Sequence, residues 1–163
     1  MQKQNCDSRV GGWLSLLIFI LMILIPVAGI YSVAEEFSAW EEMFPAMQDS
    51  IGWFYTKAGL WILACIYFAS SFIAGYKLWR HHYPETVTFV IRSLWFLVFY
   101  GLVINLVSAI VVQDLSVRLN VESALDWGEI FRDLLTSFAF VATWAIIWTL
   151  YLKKSVRIRN TYR

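Results

Sequence analysis

Few residues in this sequence have the types and spacing that enzyme chemistry requires. The two histidines, His81 and His82, are adjacent, whereas two metal ligands on one face of a helix lie three or four residues apart. The sequence contains no Gly-x-Ser-x-Gly, no His-Glu-x-x-His and no phosphate-binding glycine motif. We therefore predict no bound cofactor or metal ion. An enzyme would have to build its site from the histidines or from acidic residues elsewhere in the chain.

A group of polar and small residues lies in the middle of an apolar stretch. Gly101, Asn105 and Ser108 follow one another at steps of four and three residues, which places them on one face of a helix. Small residues let helices approach closely, and amide or hydroxyl groups can hydrogen-bond between them. We expect this face to hold helices together, so that Asn105→Leu weakens the protein. The alternative is a polar cavity centred on Asn105.

Two further pairs of residues have helical spacing. Ser71 and Gly75 are four residues apart, and Thr136 and Thr143 share one face of a helix. We predict that both pairs lie at contacts between helices.

The chain ends on a basic segment, residues 153–163, which contains five Lys or Arg residues and no acidic residue. Lys153, Lys154, Arg157 and Arg159 are the candidate contacts for anionic lipid head groups at the cytoplasmic face of a membrane. A basic tail can also bind nucleic acid, but the aromatic residues needed to stack on bases are expected at membrane depth. We therefore predict no nucleic-acid partner.

The elements that must position these residues are four apolar stretches. Hydrophobic residues make up 60% of the 163 residues and charged residues 15%, against about 45–50% and about 25% in soluble domains. About 20 apolar residues cross the hydrocarbon core as a helix, and backbone groups in lipid must be bonded within their own segment. We predict an all-α fold in which residues 1–163 form a single transmembrane domain, a four-helix bundle. The predicted spans are residues 12–31, with a bend near Pro26, and residues 58–76, 93–113 and 134–152.

The first apolar stretch could also be read as a cleaved signal peptide, because Ser32, Val33 and Ala34 resemble a cleavage site. The stretch is, however, longer than the about 7–15 apolar residues of a typical signal peptide, so a membrane span is favoured.

The distribution of charge predicts the orientation of these spans. Ten of the thirteen Lys and Arg residues lie before the first span, in the inner loop 77–92 or in the tail 153–163. Ten of the twelve acidic residues lie in the outer loops 35–56 and 114–133. Because Lys and Arg are retained on the cytoplasmic side, both termini are predicted to be cytoplasmic.

The outer loops contain weaker patterns. In loop 35–56, apolar residues recur at steps of four and three, and Pro45 interrupts them, which predicts two short helices. In loop 114–133, every second residue from Leu115 to Val121 is apolar, which predicts a short extended segment. Asp126 is predicted to cap the helix that follows.

The two ends of the chain resemble a known family. Gly11-Gly12-Trp13-Leu14 opens the first span, and Tyr151-Leu152 leads into Ser155-Val156-Arg157-Ile158-Arg159-Asn160-Thr161-Tyr162. These motifs are similar to those of the bacterial domain-of-unknown-function family 2569. Its members are four-span inner-membrane proteins with a Gly-Trp-Leu start and an ending of the type Ser-Lys-Arg-Val-Lys-x-Thr-Phe. In this sequence Val156 replaces the usual basic residue and Tyr162 replaces the phenylalanine. The resemblance implies four spans in a bacterial inner membrane, and it implies no activity.

Three functions remain open at this point. The small soluble mass, the absence of ionisable residues from the predicted spans and the lack of catalytic motifs favour a non-enzymatic accessory protein. Such a protein would lie in the lipid bilayer of the cell envelope and bind a membrane-protein partner. The alternatives are a small carrier or lipid-binding protein with a polar cavity around Asn105, and a membrane enzyme that acts at an interface.

Overall fold

Four long helices make up the described part of the chain. The computed structural model describes residues 12–45, 48–81, 83–118, 127–155 and 158. Its elements are α1 (Trp13–Phe19), a π-helical segment (Ile20–Leu24), α2 (Ile25–Met43), α3 (Ile51–Arg80), α4 (Pro84–Arg118) and α5 (Trp127–Lys154). The first three follow one another without a break, so the described residues contain four helices that are long and apolar enough to cross a membrane. The predicted all-helical fold with four such helices is confirmed.

Each helix continues past the apolar stretch that predicted it. The helix that begins with span 12–31 runs on to Met43, and the helix of span 58–76 already begins at Ile51. Most of the predicted outer loop 35–56 is therefore helical, and residues 44–50 connect the two helices. Glu, Gln and Lys are good helix formers, so a charged residue ends an apolar stretch without ending the helix.

Two prolines mark helix boundaries. Phe44 precedes Pro45 and has non-helical dihedral angles, with φ −132° and ψ 74°, because a residue before proline disfavours the helical region. Pro84 is the first residue of α4, a position at which its missing N–H costs no helical hydrogen bond. The break at Pro45 is as predicted, but the helical segments on either side of it are ends of long helices rather than two short helices.

The predicted second outer loop, 114–133, is also partly helical. Helix α4 continues through Arg118, so the prediction of an extended segment is wrong for residues 115–118. A helix that has already nucleated propagates at little cost, which outweighs a short alternating pattern. Residues 119–126, including the predicted helix cap Asp126, lie outside the described residues.

The π-helical segment accommodates Pro26. The N–H of Ile25 bonds the carbonyl of Ile20, five residues earlier. In this register the carbonyl of Leu21 would pair with the N–H of residue 26, which proline lacks. Ser71 of α3 replaces that donor: its Oγ donates a hydrogen bond to the Leu21 carbonyl at 2.7 Å, and the residue is fully buried.

Gly75, one turn after Ser71, lets α3 approach the same segment. A Cβ atom at Gly75 would lie 3.1 Å from Cβ of Leu21 and 3.3 Å from the backbone nitrogen of Met22. Only a residue without a side chain fits here without displacing its neighbours. Ser71 and Gly75 therefore lie at a helix–helix contact, as predicted.

The second predicted pair, Thr136 and Thr143, makes hydrogen bonds within its own helix and not to another helix. Thr136 donates its hydroxyl hydrogen bond to the Arg132 carbonyl at 2.8 Å, and Thr143 donates to the Ala139 carbonyl at 2.7 Å. Both threonines are exposed, and both acceptors are in the same helix, four residues earlier. The prediction of an interhelical contact is wrong for this pair, because a threonine hydroxyl reaches its own helix more easily.

The bundle is most tightly packed at the end where α1 begins and α5 ends. Helices α3 and α4 pack on each other, the π-helical segment and α2 pack on α3, and α5 packs on α4. Buried apolar residues from all four long helices form one cluster there, which we call the N-terminal core; it includes Leu17, Leu21, Leu78, Leu94, Trp148 and Leu152. A second buried cluster lies toward the opposite end of the bundle and consists of Phe37, Phe44, Trp53, Leu60 and Val112. The region between these two clusters is where the packing opens.

Candidate functional site

A cavity of about 250 Å³ lies halfway along the four long helices. It is lined by residues of α2, α3, α4 and α5, and it lies between the N-terminal core and the second cluster. The volume is slightly below the about 300–1,000 Å³ of typical small-molecule pockets. The cavity therefore has room for part of a drug-sized or lipid-sized molecule.

The cavity has an apolar base and a polar rim. The base contains buried residues of α3 and α4, namely Ala64, Leu97 and Val98. The polar residues of the lining are all exposed and form what we call the rim: Ser32, Glu36, Asn105 and Ser137. A mostly apolar pocket with a few convergent polar groups is the usual form of a ligand site.

The gap that exposes the rim lies between α2 and α5. Helix α2 packs on α3, and α5 packs on α4, but α2 and α5 make at most marginal contact within the described residues. Glu36 on α2 and Ser137 on α5 both line the cavity.

Glu36 is the functional candidate that the sequence analysis missed. The sequence places it in the outer loop 35–56, but it lies within α2, and its Oε1 accepts a hydrogen bond from Oγ of Ser108 at 3.3 Å. Ser108 is 8% exposed and lies five residues before the end of the predicted span 93–113, which is about 7.5 Å along a helix axis. The carboxylate thus reaches the depth of a predicted span.

A signal for this placement was present in the sequence. Gly29, Ser32 and Glu36 are spaced by three and four residues, so they share one face of a helix that continues beyond residue 31. All three line the cavity. The predicted span ends at residue 31, because about 20 residues suffice to cross the hydrocarbon core, and it therefore leaves Glu36 in the outer loop.

The predicted polar face of α4 divides between two roles. Gly101 and Asn105 line the cavity, and Asn105 is exposed, with no hydrogen-bond partner among the described residues. Ser108 is buried and makes the polar contact to α2. Asn105→Leu is therefore expected to change the cavity rim more than the packing of the bundle.

A second hollow, of about 310 Å³, lies beside the connection 44–50. There Glu41 Oε1 accepts hydrogen bonds from Lys57 Nζ at 2.7 Å and from Trp53 Nε1 at 2.8 Å. Gln48 Nε2 adds a bond of 3.3 Å to the backbone oxygen of Glu41. These bonds join the end of α2 to the start of α3, so this hollow has a structural explanation.

The remaining predicted residues lie far from the cavity or outside the described chain. Lys153 and Lys154 are exposed in the last turn of α5, a position compatible with a membrane surface, whereas Arg157 and Arg159 lie outside the described residues. His81 is exposed directly after α3, and His82 also lies outside them. Of these residues the structure describes His81, Lys153 and Lys154, and none of the three lines the cavity.

A family model described as "Protein of unknown function (DUF2569)" matches residues 7–163. No curated protein and no solved structure matches this chain. The resemblance seen at the two ends of the sequence therefore extends over nearly its whole length.

Proposed function

The chain belongs to the DUF2569 family of unknown function, and from this premise we propose that it is a multi-pass membrane protein that binds an amphiphilic molecule between its helices. This is the second of the three functions that the sequence left open. Its ligand would place an apolar part in the base of the cavity and a polar head at the rim.

The observation that carries this proposal is the arrangement of the cavity along the bundle axis. The apolar base at Leu97 and Val98 lies 16 and 15 residues before the end of the apolar stretch 93–113 of α4, whereas Asn105 at the rim lies eight residues before that end. A molecule with a polar head and an apolar chain matches this gradient. A water-soluble polar ligand would leave the apolar base without a partner.

The proposed location is a bacterial inner membrane, with both termini in the cytoplasm. The excess of Lys and Arg in the terminal segments and in the inner loop 77–92 supports this orientation. In a chain without its native cysteines, we expect a membrane-impermeant thiol reagent to label Asp49→Cys in intact cells and to label Ser155→Cys only after lysis. Labelling of Ser155→Cys in intact cells would reverse the proposed topology.

A cavity-filling substitution tests ligand binding. A Cβ atom at Gly101 would have Tyr67 as its nearest neighbour, at 3.8 Å, so a larger side chain there extends into open space. We expect Gly101→Leu to reduce the lipid or other amphiphile that co-purifies with the protein, as measured by mass spectrometry of the extracted sample. Gly59→Leu is the matched control, because nothing lies within 4 Å of a Cβ atom at Gly59.

Two results would separate a filled cavity from a damaged fold. If both variants keep the wild-type melting temperature and only Gly101→Leu loses the amphiphile, ligand binding in the cavity is supported. If the two variants and the wild-type chain retain the same amphiphiles in the same amounts, the proposed function is wrong.

The other two functions receive less support from the geometry. His81 is thirteen residues beyond Phe68, the last cavity residue of α3, or about 20 Å along the helix, so it is not positioned for chemistry on a molecule in the cavity. A membrane-protein partner stays a prediction, since the exposed apolar faces of these helices suit lipid equally well. Crosslinking in native membranes tests for that partner.

A further inference from the structure

We infer that the head group bound at the rim carries a positive charge and that Glu36 binds it. This inference rests on the proposed function, which it deepens by naming the class of ligand: an amphiphile with an ammonium head. Glu36 is the only charged side chain among the described residues that line the cavity. A ligand at the rim therefore meets one net negative charge.

The carboxylate of Glu36 has unused hydrogen-bonding capacity. An ionised carboxylate offers about four acceptor sites, and the one described hydrogen bond to Glu36 is the 3.3 Å contact from the Ser108 hydroxyl. That distance is at the long end of the range for hydrogen bonds from hydroxyl groups. An ammonium group, with up to three donors, fits the remaining acceptor sites.

The basic side chains at this end of the bundle are engaged elsewhere. Lys57 pairs with Glu41 at 2.7 Å, and Arg118 pairs with Asp114 at 2.8 Å. Arg132 lies 3.9 Å from Glu129 and 3.6 Å from Asp133. Within the described residues Glu36 has no such basic partner. A carboxylate at the depth of a membrane span is costly when it is unpaired, and a bound cation relieves that cost.

The lining of the cavity also contains aromatic residues. Tyr67, Phe68 and Phe138 line the same cavity as Glu36, and aromatic ring faces attract ammonium groups. An anionic head group would meet the Glu36 carboxylate without a compensating basic residue among the described ones. The charge at the rim thus selects for cations and against anions.

Photocrosslinking of the full chain in lipid nanodiscs tests this inference. The probes are a photoreactive alkylamine and the alcohol with the identical chain and photoreactive group, and labelled peptides are identified by mass spectrometry. The variants are Glu36→Gln and, as the matched control, Glu35→Gln, which removes the charge of an exposed neighbour that does not line the cavity. Both head groups can donate a hydrogen bond to the carboxylate, but only the ammonium adds the attraction of an ion pair, which favours the amine by on the order of tenfold.

We expect the amine to label peptides containing Glu36 and Asn105 about tenfold more than the alcohol does, in the wild-type chain and in Glu35→Gln. Glu36→Gln should abolish this preference while the alcohol still labels the cavity. Equal labelling by both probes in the wild-type chain, or a preference that survives Glu36→Gln, would overturn the role of Glu36 and leave ligand binding intact. Failure of both probes to label any cavity peptide would overturn the proposed function as well.

Discussion

Replacing Ser71 with alanine should destabilise the bundle through a carbonyl on another helix. Ser71 Oγ donates the 2.7 Å hydrogen bond to the Leu21 carbonyl, and the serine is 0% exposed. Within the described residues this carbonyl lacks a helical backbone donor, because the Ile25 N–H bonds the Ile20 carbonyl and Pro26 has no N–H. Ser71→Ala would thus leave a buried acceptor without a partner.

The expected loss of stability follows from two energies, the cost of an unsatisfied buried polar group and the contribution of an interhelical hydrogen bond. An unsatisfied buried polar group costs about 1–3 kcal/mol in soluble proteins. Interhelical hydrogen bonds in membranes average about 0.6 kcal/mol and reach about 1.7 kcal/mol. Because the Leu21 carbonyl has no alternative donor among the described residues, we expect the upper part of the membrane range, a loss of about 1–1.7 kcal/mol in the free energy of unfolding.

Reversible unfolding in mixed micelles, followed by circular dichroism, measures this loss. Ser70→Ala is the matched control: Ser70 donates its hydroxyl to the Ile66 carbonyl at 2.7 Å in its own helix, so its removal should change stability by less than about 0.5 kcal/mol. Pro26→Ala tests whether the missing N–H of proline is the reason for the loss, because alanine restores an N–H that can donate a hydrogen bond to the Leu21 carbonyl. In that background Ser71→Ala should cost markedly less.

Two results would refute this reasoning. The first is an equal loss of stability in Ser71→Ala and Ser70→Ala. The second is an undiminished cost of Ser71→Ala in the Pro26→Ala background, which would show that the two residues are not coupled through Leu21.

Three further substitutions test other parts of the packing. Gly75→Ala should cost about 1–3 kcal/mol in the same unfolding assay, because its Cβ meets the π-helical segment; Gly59→Ala, in open space, should not. Lys57→Met should cost at most about 1 kcal/mol, and less at high salt, because the pair with Glu41 is partly exposed; a loss that is insensitive to salt would contradict this. Thr149→Val should leave stability unchanged or raise it, because the buried Thr149 hydroxyl has no partner among the described residues; a clear loss would reveal a missed hydrogen bond.

The sequence carried enough information for the four helices that are long and apolar enough to cross a membrane, and for one close helix contact. Runs of residues without charge predict four helices, because the backbone N–H and C=O groups of a segment in lipid must form hydrogen bonds with one another. The four-residue spacing of Ser71 and Gly75 indicated a packing face, because small residues at helical spacing have little other use in a span. The break at Pro45 followed from the covalent geometry of proline.

The candidate site depended on information that a single helix does not contain. Gly101 and Asn105 were identified as one face of α4, but whether that face binds a helix or borders a cavity depends on the residues opposite. The sequence predicts a loop at Glu36, which lies within α2, because composition marks where an apolar stretch ends and not where a helix ends.

The sequence by itself determined the number of helices, their apolar lengths and the family to which the chain belongs. These properties follow from local composition, which each segment carries independently of its neighbours. Only the tertiary structure decided the position of α2 along the axis of α4, which brings Glu36 within hydrogen-bond distance of Ser108. That displacement is set by contacts between helices, such as Gly75 against Met22 and Ser71 against Leu21, which belong to no single stretch of the chain.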